Sequence, residues 1–378
     1  MKRVVILCVW LFSVVAGHAQ LSLDECRRLA RENYPEIRQY DLVHQTEQYN
    51  LSNAARAWIP QIAFSAQATW QTDAPNFPKE LTGMLAQQGL EIPGLRKDQY
   101  KVALELNQTI WDGGKSVADK RIARAEAAEQ KTMTDVDLYE LEGRVDDLYF
   151  GILLLDERIA QTNLTLNLLR SNLEKVRALQ RNGVAMQSDA DVLEAELLSV
   201  GQQLIQFESS CDSYRRMLGI FIGQKVGDRK LQRPSAVQPL SGESARPELA
   251  MFAAKIDRLT AQEKMVKSSS MPRLGFFAQG YYGYPGLDYM QSMMNSDWSW
   301  NAMLGVKLSW NFGAYYTQKN NLNKLRISRQ QVEVQRDVFL FNMNLQAAQE
   351  NGDIARLRKA IADDDRIVAP VSYTHLTL

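Results

Sequence analysis

One stretch of the chain reads as a reaction centre. Gly113-Gly114-Lys115-Ser116, closing the segment TIWDGGKS (Thr109–Ser116), has the residue types of a phosphate-binding loop. In such a loop glycines expose backbone N–H groups to phosphate oxygens, the lysine reaches the terminal phosphates and the serine holds a metal ion. The pattern requires a glycine five positions before Gly114, where Thr109 stands. It also requires a buried apolar strand ahead, whereas Glu105 and Asn107 interrupt the apolar residues here. Other reactive groups are sparse. The three histidines, His18, His44 and His375, have no metal-ligand spacing and form no natural catalytic pair. Three cysteines, Cys8, Cys26 and Cys211, are too few and too scattered for a disulfide framework. The acidic clusters DLYEL and ADDDR read as solvated helix faces. No catalytic, cofactor-binding or metal-binding residue is assigned, and an exported hydrolase is the weaker alternative. With 44 basic and 44 acidic residues the net charge is zero, which argues against a nucleic-acid partner.

The glycines must instead be understood from the elements around them. The N-terminus, MKRVVILCVWLFSVVAGHAQ, has Lys2 and Arg3, an apolar run from Val4 to Val15, and small residues at Gly17 and Ala19. That is the order of a signal peptide over residues 1–19, cut after Ala19. No later run reaches the roughly 18 apolar residues of a spanning helix, so a mature chain that enters a membrane must do so with strands.

The sequence is internally duplicated. YPEIRQY (Tyr34–Tyr40) pairs with RPELAMF (Arg246–Phe252), and WIPQIAFSAQATW (Trp58–Trp70) with SMPRLGFFAQGYY (Ser270–Tyr282). LELNQTIWDGG (Leu104–Gly114) pairs with LGVKLSWNFG (Leu304–Gly313). The offset is near 212 residues, set by Pro60 and Pro272. The first repeat spans 20–224, with helices at about 22–58, 114–179 and 188–222 and strands at about 62–72 and 100–111. A connection covers 225–245. The second repeat, 246–370, has strands at about 273–283 and 299–311 and a helix from about 314.

The strands alternate. Ile62, Phe64, Ala66, Ala68 and Trp70 oppose Ser65, Gln67 and Thr69. Val102, Leu104, Leu106 and Ile110 oppose Lys101, Glu105, Asn107 and Thr109, and Trp300, Ala302, Leu304, Val306, Leu308 and Trp310 oppose Asn301, Lys307 and Ser309. The third strand is aromatic on both faces and more ambiguous. One apolar and one polar face over about 9–12 residues is the pattern of a transmembrane strand; a half-buried soluble strand shows the same. The helices decide. Leu141, Val145, Leu148, Ile152 and their successors to Val176 step by four and three, as do Leu193 to Leu218. A helix from Lys115 to Leu179 would be about 98 Å long at 1.5 Å per residue, which no compact globule holds. The segment NGVAMQSDADVL (Asn182–Leu193) is a helix-turn-helix tip, with Gly183 as left-handed cap and Ser188 with Asp191 at capping-box spacing. Ser22 and Glu25 have the same spacing.

Only helices and closed barrels satisfy their backbone in lipid. Four strands cannot close a useful barrel, so a homotrimer with twelve strands is expected. The fold class is therefore membrane α+β: a trimeric outer-membrane β-barrel continuous with a coiled-coil α-helical barrel in the periplasm. Pro60 and Pro272 mark helix-to-strand junctions; Gly113, Gly114 and Gly313 mark strand-to-helix junctions. At LSLDECRRLARENYPEI, AARAWIPQIAFSAQ, LELNQTIWDGGKS, RNGVAMQSDADVLEAE, RPEL, MPRLGFFAQG and LSWNFGAYY the chain resembles the TolC-type outer-membrane efflux family, over about 21–362.

The resemblance implies a passive exit duct for a tripartite efflux pump or type I secretion system. Its partners would be outer-membrane lipid, a periplasmic adaptor of the membrane-fusion class, and through it an inner-membrane transporter. Gly183, Val184 and Ala185 would fall on the adaptor-docking tip. Ser65, Gln67, Thr69, Lys101, Glu105, Asn107, Asn301, Lys307 and Ser309 are the candidate lumen-facing residues. No cofactor is implied. The alternative, an exported coiled-coil surface or adhesion protein, leaves the strands recurring at one offset unexplained. The loop Gln71–Gln99 is unusually long and expected to be extracellular. Gly183 lies 69 residues after Gly114, and the same distance from Gly313 overruns the chain. VSYTHLTL (Val371–Leu378) is accordingly expected to be a non-native, non-helical tail on a truncated second repeat. Sequencing the genomic locus past codon 370 checks this, and an immediate native stop would defeat it.

Overall fold

The structure, a computed structural model, describes residues 20–90, 92–235 and 246–376. The expected leader, residues 236–245 of the inter-repeat connection, and Thr377-Leu378 lie outside the described residues. The chain divides into two compact units. One takes residues up to Val43 and Gln130–Met251; the other takes His44–Glu129 and the residues from Phe252 onward.

The first unit holds α1 (Leu23–Asn33), the end of α4 (Lys115–Arg181) and α5 (Gln187–Ile222). Helix α1 begins where the Ser22 hydroxyl accepts the Glu25 N–H at 3.3 Å. It ends at Tyr34, held extended because Pro35 follows. The single helix expected over 22–58 is thus two, α1 and α2 (Gln39–Arg56), separated by a 3-10 turn at Pro35–Arg38.

One face of α1, with Cys26 and Ala30, packs on Val145, Tyr149 and Ile152 of α4 and on Cys211, Leu218 and Ile222 of α5. Tyr149 is fully buried, so its hydroxyl needs a partner. Its one proton has two acceptors, the carbonyls of Leu21 (2.7 Å) and Gln232 (2.5 Å), where the two segments form a short parallel bridge. Asn33 donates to the Ile220 and Phe221 carbonyls, capping the end of α5 before Gly223 turns left-handed at φ 68. Arg215 fastens the chain beyond α5, donating to the carbonyls of Gly227 and Arg229 and to both Asp156 oxygens.

At the far end of α4 the chain reverses. Gly183, at φ 76, donates to Gln180 O and Val184 to Leu179 O, the two bonds of a Schellman cap. The expected capping box at Ser188 and Asp191 is shifted. Helix α5 starts two residues sooner, and the Asp189 carboxylate accepts the Met186 N–H at 3.0 Å. The cause is the cap itself, which completes the turn by Val184 and leaves Met186 extended (φ −85, ψ 157) as the residue before the helix.

The second unit holds α2 from His44, the start of α4, α6 from Phe252 (α6 is Pro247–Ser268), α8 (Gly313–Leu376) and a four-stranded sheet. The strands β1 (Gln61–Trp70), β2 (Asp98–Trp111), β3 (Arg273–Tyr284) and β4 (Ser299–Ser309) form an antiparallel meander in chain order. Two loop helices, α3 (Lys79–Gln87) and α7 (Tyr289–Met294), lie in the hairpin connections. The Tyr284 hydroxyl joins these connections: it accepts the Arg96 N–H and donates to the Ser292 carbonyl, beside buried Ala74 and Leu95.

The duplication is uneven. Gln61 and Arg273 are 212 positions apart, but Lys115 and Gly313 only 198, because the second hairpin loop is shorter. Helix α8 also contradicts the non-helical tail expected after Pro370. Its backbone continues to Leu376, giving up only the N–H bond that proline cannot make.

Both described cysteines lie in the apolar core. Burial, with Glu25 nearby, pushes the Cys26 thiol up to about 12. Burial also raises Cys211, against hydrogen bonding from Arg215. Reactivity requires the thiolate. Neither cysteine of the folded protein is therefore expected to react with iodoacetamide at about pH 8, below even a free thiol's pKa. Both should react in guanidinium. Stoichiometric labelling of the native protein, read by mass spectrometry, would refute this.

Candidate functional site

Cross-strand partners share a face, so the register assigns every strand residue to one side. Ile62↔Leu106, Phe64↔Leu104 and Ala66↔Val102 join β1 to β2. Leu104↔Gly280 and Leu106↔Ala278 lead on to β3, and Leu274↔Leu308, Phe276↔Val306 and Ala278↔Leu304 to β4. The result is one continuous apolar face. Its side chains are strongly exposed: Phe64 72 %, Leu304 74 %, Trp300 81 %. Burying such residues is worth about 1.5–3 kcal/mol each, so water is not their medium. Among the described residues no helix is long and apolar enough to cross a membrane; the apolar surface of membrane-spanning length is on the sheet.

Aromatic residues gather at both ends of that face. Tyr100, Tyr282, Trp298 and Trp300 pack as a chain of rings with centroids 5.0 to 5.7 Å apart at the loop end. Trp111, Trp310 and Phe312 stand at the helix end, the last two with centroids 4.7 Å apart. Rings with an apolar body and a polar edge favour such interfaces.

The other face is polar. Ser65↔Ala103 and Gln67↔Lys101 are partners, and Thr69 pairs with Gln99. Glu105↔Gln279 and Asn107↔Phe277 follow, and on β4 Asn301↔Tyr281, Lys307↔Gly275 and Ser309↔Arg273. All nine residues expected to share a side do share one. Lys101 Nζ donates to Gln279 Oε1 (3.1 Å) and lies 4.5 Å over the Tyr281 ring; Gln279 Nε2 donates to Glu105 Oε1 (2.5 Å). Gln279, Arg273, Tyr281 and Met303 on this face were not read from the sequence. Period two in β3 was masked by like residues on adjacent positions, Phe276 with Phe277 and Tyr281 with Tyr282.

Ile110 departs from its expected place. The register skips between Thr109 and Trp111, leaving Ile110 in a bulge. Gln108 takes the apolar-side position before it, its amide donating to the Trp58 carbonyl at 2.6 Å. The extra residue restores the phase, so Trp111 meets Leu274 on the apolar face.

Below β2 the glycines make a turn that the chain's own side chain closes. Gly113 and Gly114 take φ 70 and 86. The Asp112 carboxylate accepts the Gly114 N–H (2.9 Å), the Ser116 N–H (2.7 Å) and the Ser116 hydroxyl. It occupies the N–H groups that a phosphate would need. Lys115 turns away to Asp119 at 2.7 Å. Burial alone would raise the Asp112 carboxyl. The Ser116 hydroxyl and the Ser116 and Gly114 N–H groups outweigh it and hold the group below the usual carboxylate range. A Cβ on Gly113 would meet Met271 Cβ at 2.7 Å, so the two repeats approach here too closely for any side chain. Pro60 and Pro272 each precede a strand directly, and Gly313 opens α8 without a positive φ. At the tip Gly183 and Val184 are exposed and Ala185 is half-buried. Among the described residues there is no cluster of metal-ligating side chains.

The profile of the family described as outer membrane efflux protein matches residues 27–223, more than half of the chain. The chain belongs to that family. Among solved structures it is similar to the outer membrane protein VceC of Vibrio cholerae. That likeness has a TM-score of 0.61 at 14 % identity and covers 85 % of this chain and 75 % of that one. The CmeC outer membrane channel of Campylobacter jejuni gives 0.58 at 14 %, covering 85 % and 68 %. The open-state MtrE outer membrane channel of Neisseria gonorrhoeae gives 0.53 at 14 %, covering 82 % and 68 %. At this identity the likenesses establish the fold. No curated protein sequence matches the chain. The outer membrane efflux protein family places the protein in the outer membrane, and efflux channel is its role.

The turn generates a prediction with a sign. The Asp112 carboxyl is lowered on folding, so its stabilisation is complete above a free carboxyl's pKa and lost as pH falls below about 4. Asp112→Asn should cost about 1–2 kcal/mol at neutral pH and flatten the acid limb of the thermal unfolding profile. Gly113→Ala should cost at least about 1–2 kcal/mol through its φ alone. Unfolding profiles superposable on wild type for both variants would refute the reading.

Proposed function

We propose that the chain supplies one third of a passive duct through the outer membrane. The segregated faces of the open four-stranded sheet carry the proposal. Strands β1 and β4 each present an unpaired edge in the single chain. An unpaired edge in hydrocarbon leaves its N–H and C=O groups unsatisfied at several kcal/mol each. Three copies joined edge to edge give twelve strands in a closed barrel.

In that barrel the apolar face meets lipid. Ser65, Gln67, Thr69, Lys101, Glu105, Asn107, Asn301, Lys307 and Ser309 line the water-filled lumen. The signal peptide directs export, and the two repeats are the domains, joined through 225–245. The long helices continue the wall into the periplasm. Gly183, Val184 and Ala185 form the tip that meets a periplasmic adaptor, through which an inner-membrane transporter supplies the energy. The exposed Val184 and Met186, each 73 % accessible, support an apolar docking edge there. The duct does no bond chemistry; it offers a wet path that needs no cofactor.

Two measurements test the proposal. A heat-modifiable, trimer-sized band should fractionate with the outer membrane, where a periplasmic enzyme would run as a soluble species. Single cysteines then read the faces against the silent background of Cys26 and Cys211. Ser65→Cys should react in intact outer membranes with a charged methanethiosulfonate, and Leu304→Cys should not. The reverse pattern, or equal reaction at both, overturns the orientation.

A further inference from the structure

The polar face is not uniform along the strands. Near its helix end is a concave pocket of about 590 Å³, within the second unit, lined by Glu105, Arg273, Phe277, Met303 and Lys307 and by the turn at Asp112. Its charges are unequal in availability. Lys115 is paired with Asp119. Glu105 is tied through Gln279 to Lys101. Asp112 spends its charge on the first N–H groups of α4. Arg273 and Lys307 alone have no hydrogen-bond or ion-pair partner among the described residues. They lie diagonally across β3 and β4, since Gly275 pairs with Lys307 and Arg273 with Ser309. The glycines of this face leave the room. The Phe277 ring lies over Gly305, 3.0 Å from where a Cβ would stand, and Met303 follows on the same strand and face.

Two free cations beside an aromatic and thioether surface define a ligand class. We propose that this pocket binds amphipathic organic anions, compounds with a carboxylate or sulfonate head and a flat apolar body. The head lies between Arg273 and Lys307 and the body on Phe277 and Met303. Arg273 supplies a planar fork for two head-group oxygens; Lys307 supplies a mobile point charge. An organic cation of the same body meets two unpaired cations, and the carboxylates beside them already accept hydrogen bonds or an ion pair from within the chain. The inference rests on the polar face being the water-filled side of the sheet, and it adds a chemical preference to that reading.

The test uses the full chain in neutral detergent and two matched probes, 2-naphthalenesulfonate and 1-naphthylmethylammonium, titrated calorimetrically. Wild type should bind the sulfonate about tenfold more tightly than the ammonium, the scale of two solvent-exposed ion pairs. Arg273→Gln with Lys307→Gln should abolish that preference, and Arg273→Lys with Lys307→Arg should retain it. Equal binding of the two probes by wild type, or an undiminished preference in the double glutamine variant, overturns the inference. The cysteine at position 65 separates the failures. If it labels and the probes bind alike, the anion site fails and the duct stands; if it does not label, the duct reading fails and takes the site with it.

Discussion

The hydrogen bond left open at a strand edge is the constraint from which the rest follows. In water an edge is tolerated, because solvent completes it. In hydrocarbon nothing does. The sheet has four strands, two open edges and an apolar face that is more than two-thirds accessible at Phe64, Trp70, Leu304 and Trp300. A protein built this way has no stable place as a lone molecule. Its sequence accordingly carries little chemistry and much geometry: alternation to separate lipid from water, proline and glycine to change the backbone's course, and heptads to continue the wall once the strands end.

The junctions show how local chemistry serves that geometry. A phosphate loop and the turn at Asp112 use the same materials, glycines at positive φ followed by N–H groups at a helix start. What separates them is who accepts those N–H groups. Here the chain's own carboxylate does, in a site only 8 % exposed. The lysine that would have reached a phosphate is drawn off by Asp119. Residue types alone do not distinguish a ligand site from a self-satisfied turn; the closure of the hydrogen bonds does.

What was legible in the sequence was whatever has a period or a forced dihedral. Period two located three strands plainly, and the prolines and glycines marked their ends to within about two residues. The features that escaped depend on cancellation or on partners far along the chain. β3 carries aromatic residues on both sides, so its face could be settled only by its neighbours' register. The bulge at Ile110 is invisible locally, because the residue is apolar and sits where an apolar residue belongs. The break at Pro35 hid inside a helical pattern that resumes four residues later. Gln279 joins the polar face through Glu105, 174 residues before it, and Arg273 through Ser309, 36 residues after it, and no short-range pattern reports either pairing.

The two turns below the sheet are not copies of each other. Gly113 and Gly114 are both left-handed, and the first is pressed against Met271. Gly313 has an ordinary helical backbone and only its own Asn311 nearby. Duplication suggests equivalent strand-to-helix hinges, but the chain provides two different kinds. The first is braced by steric contact, and the second is held by the Trp310 and Gln318 side chains, which donate to the Ser270 carbonyl (3.0 Å) and hydroxyl (2.8 Å). A rotation entering from the helices would therefore meet a steric stop at one turn and side-chain hydrogen bonds at the other, so the two hinges would not respond alike.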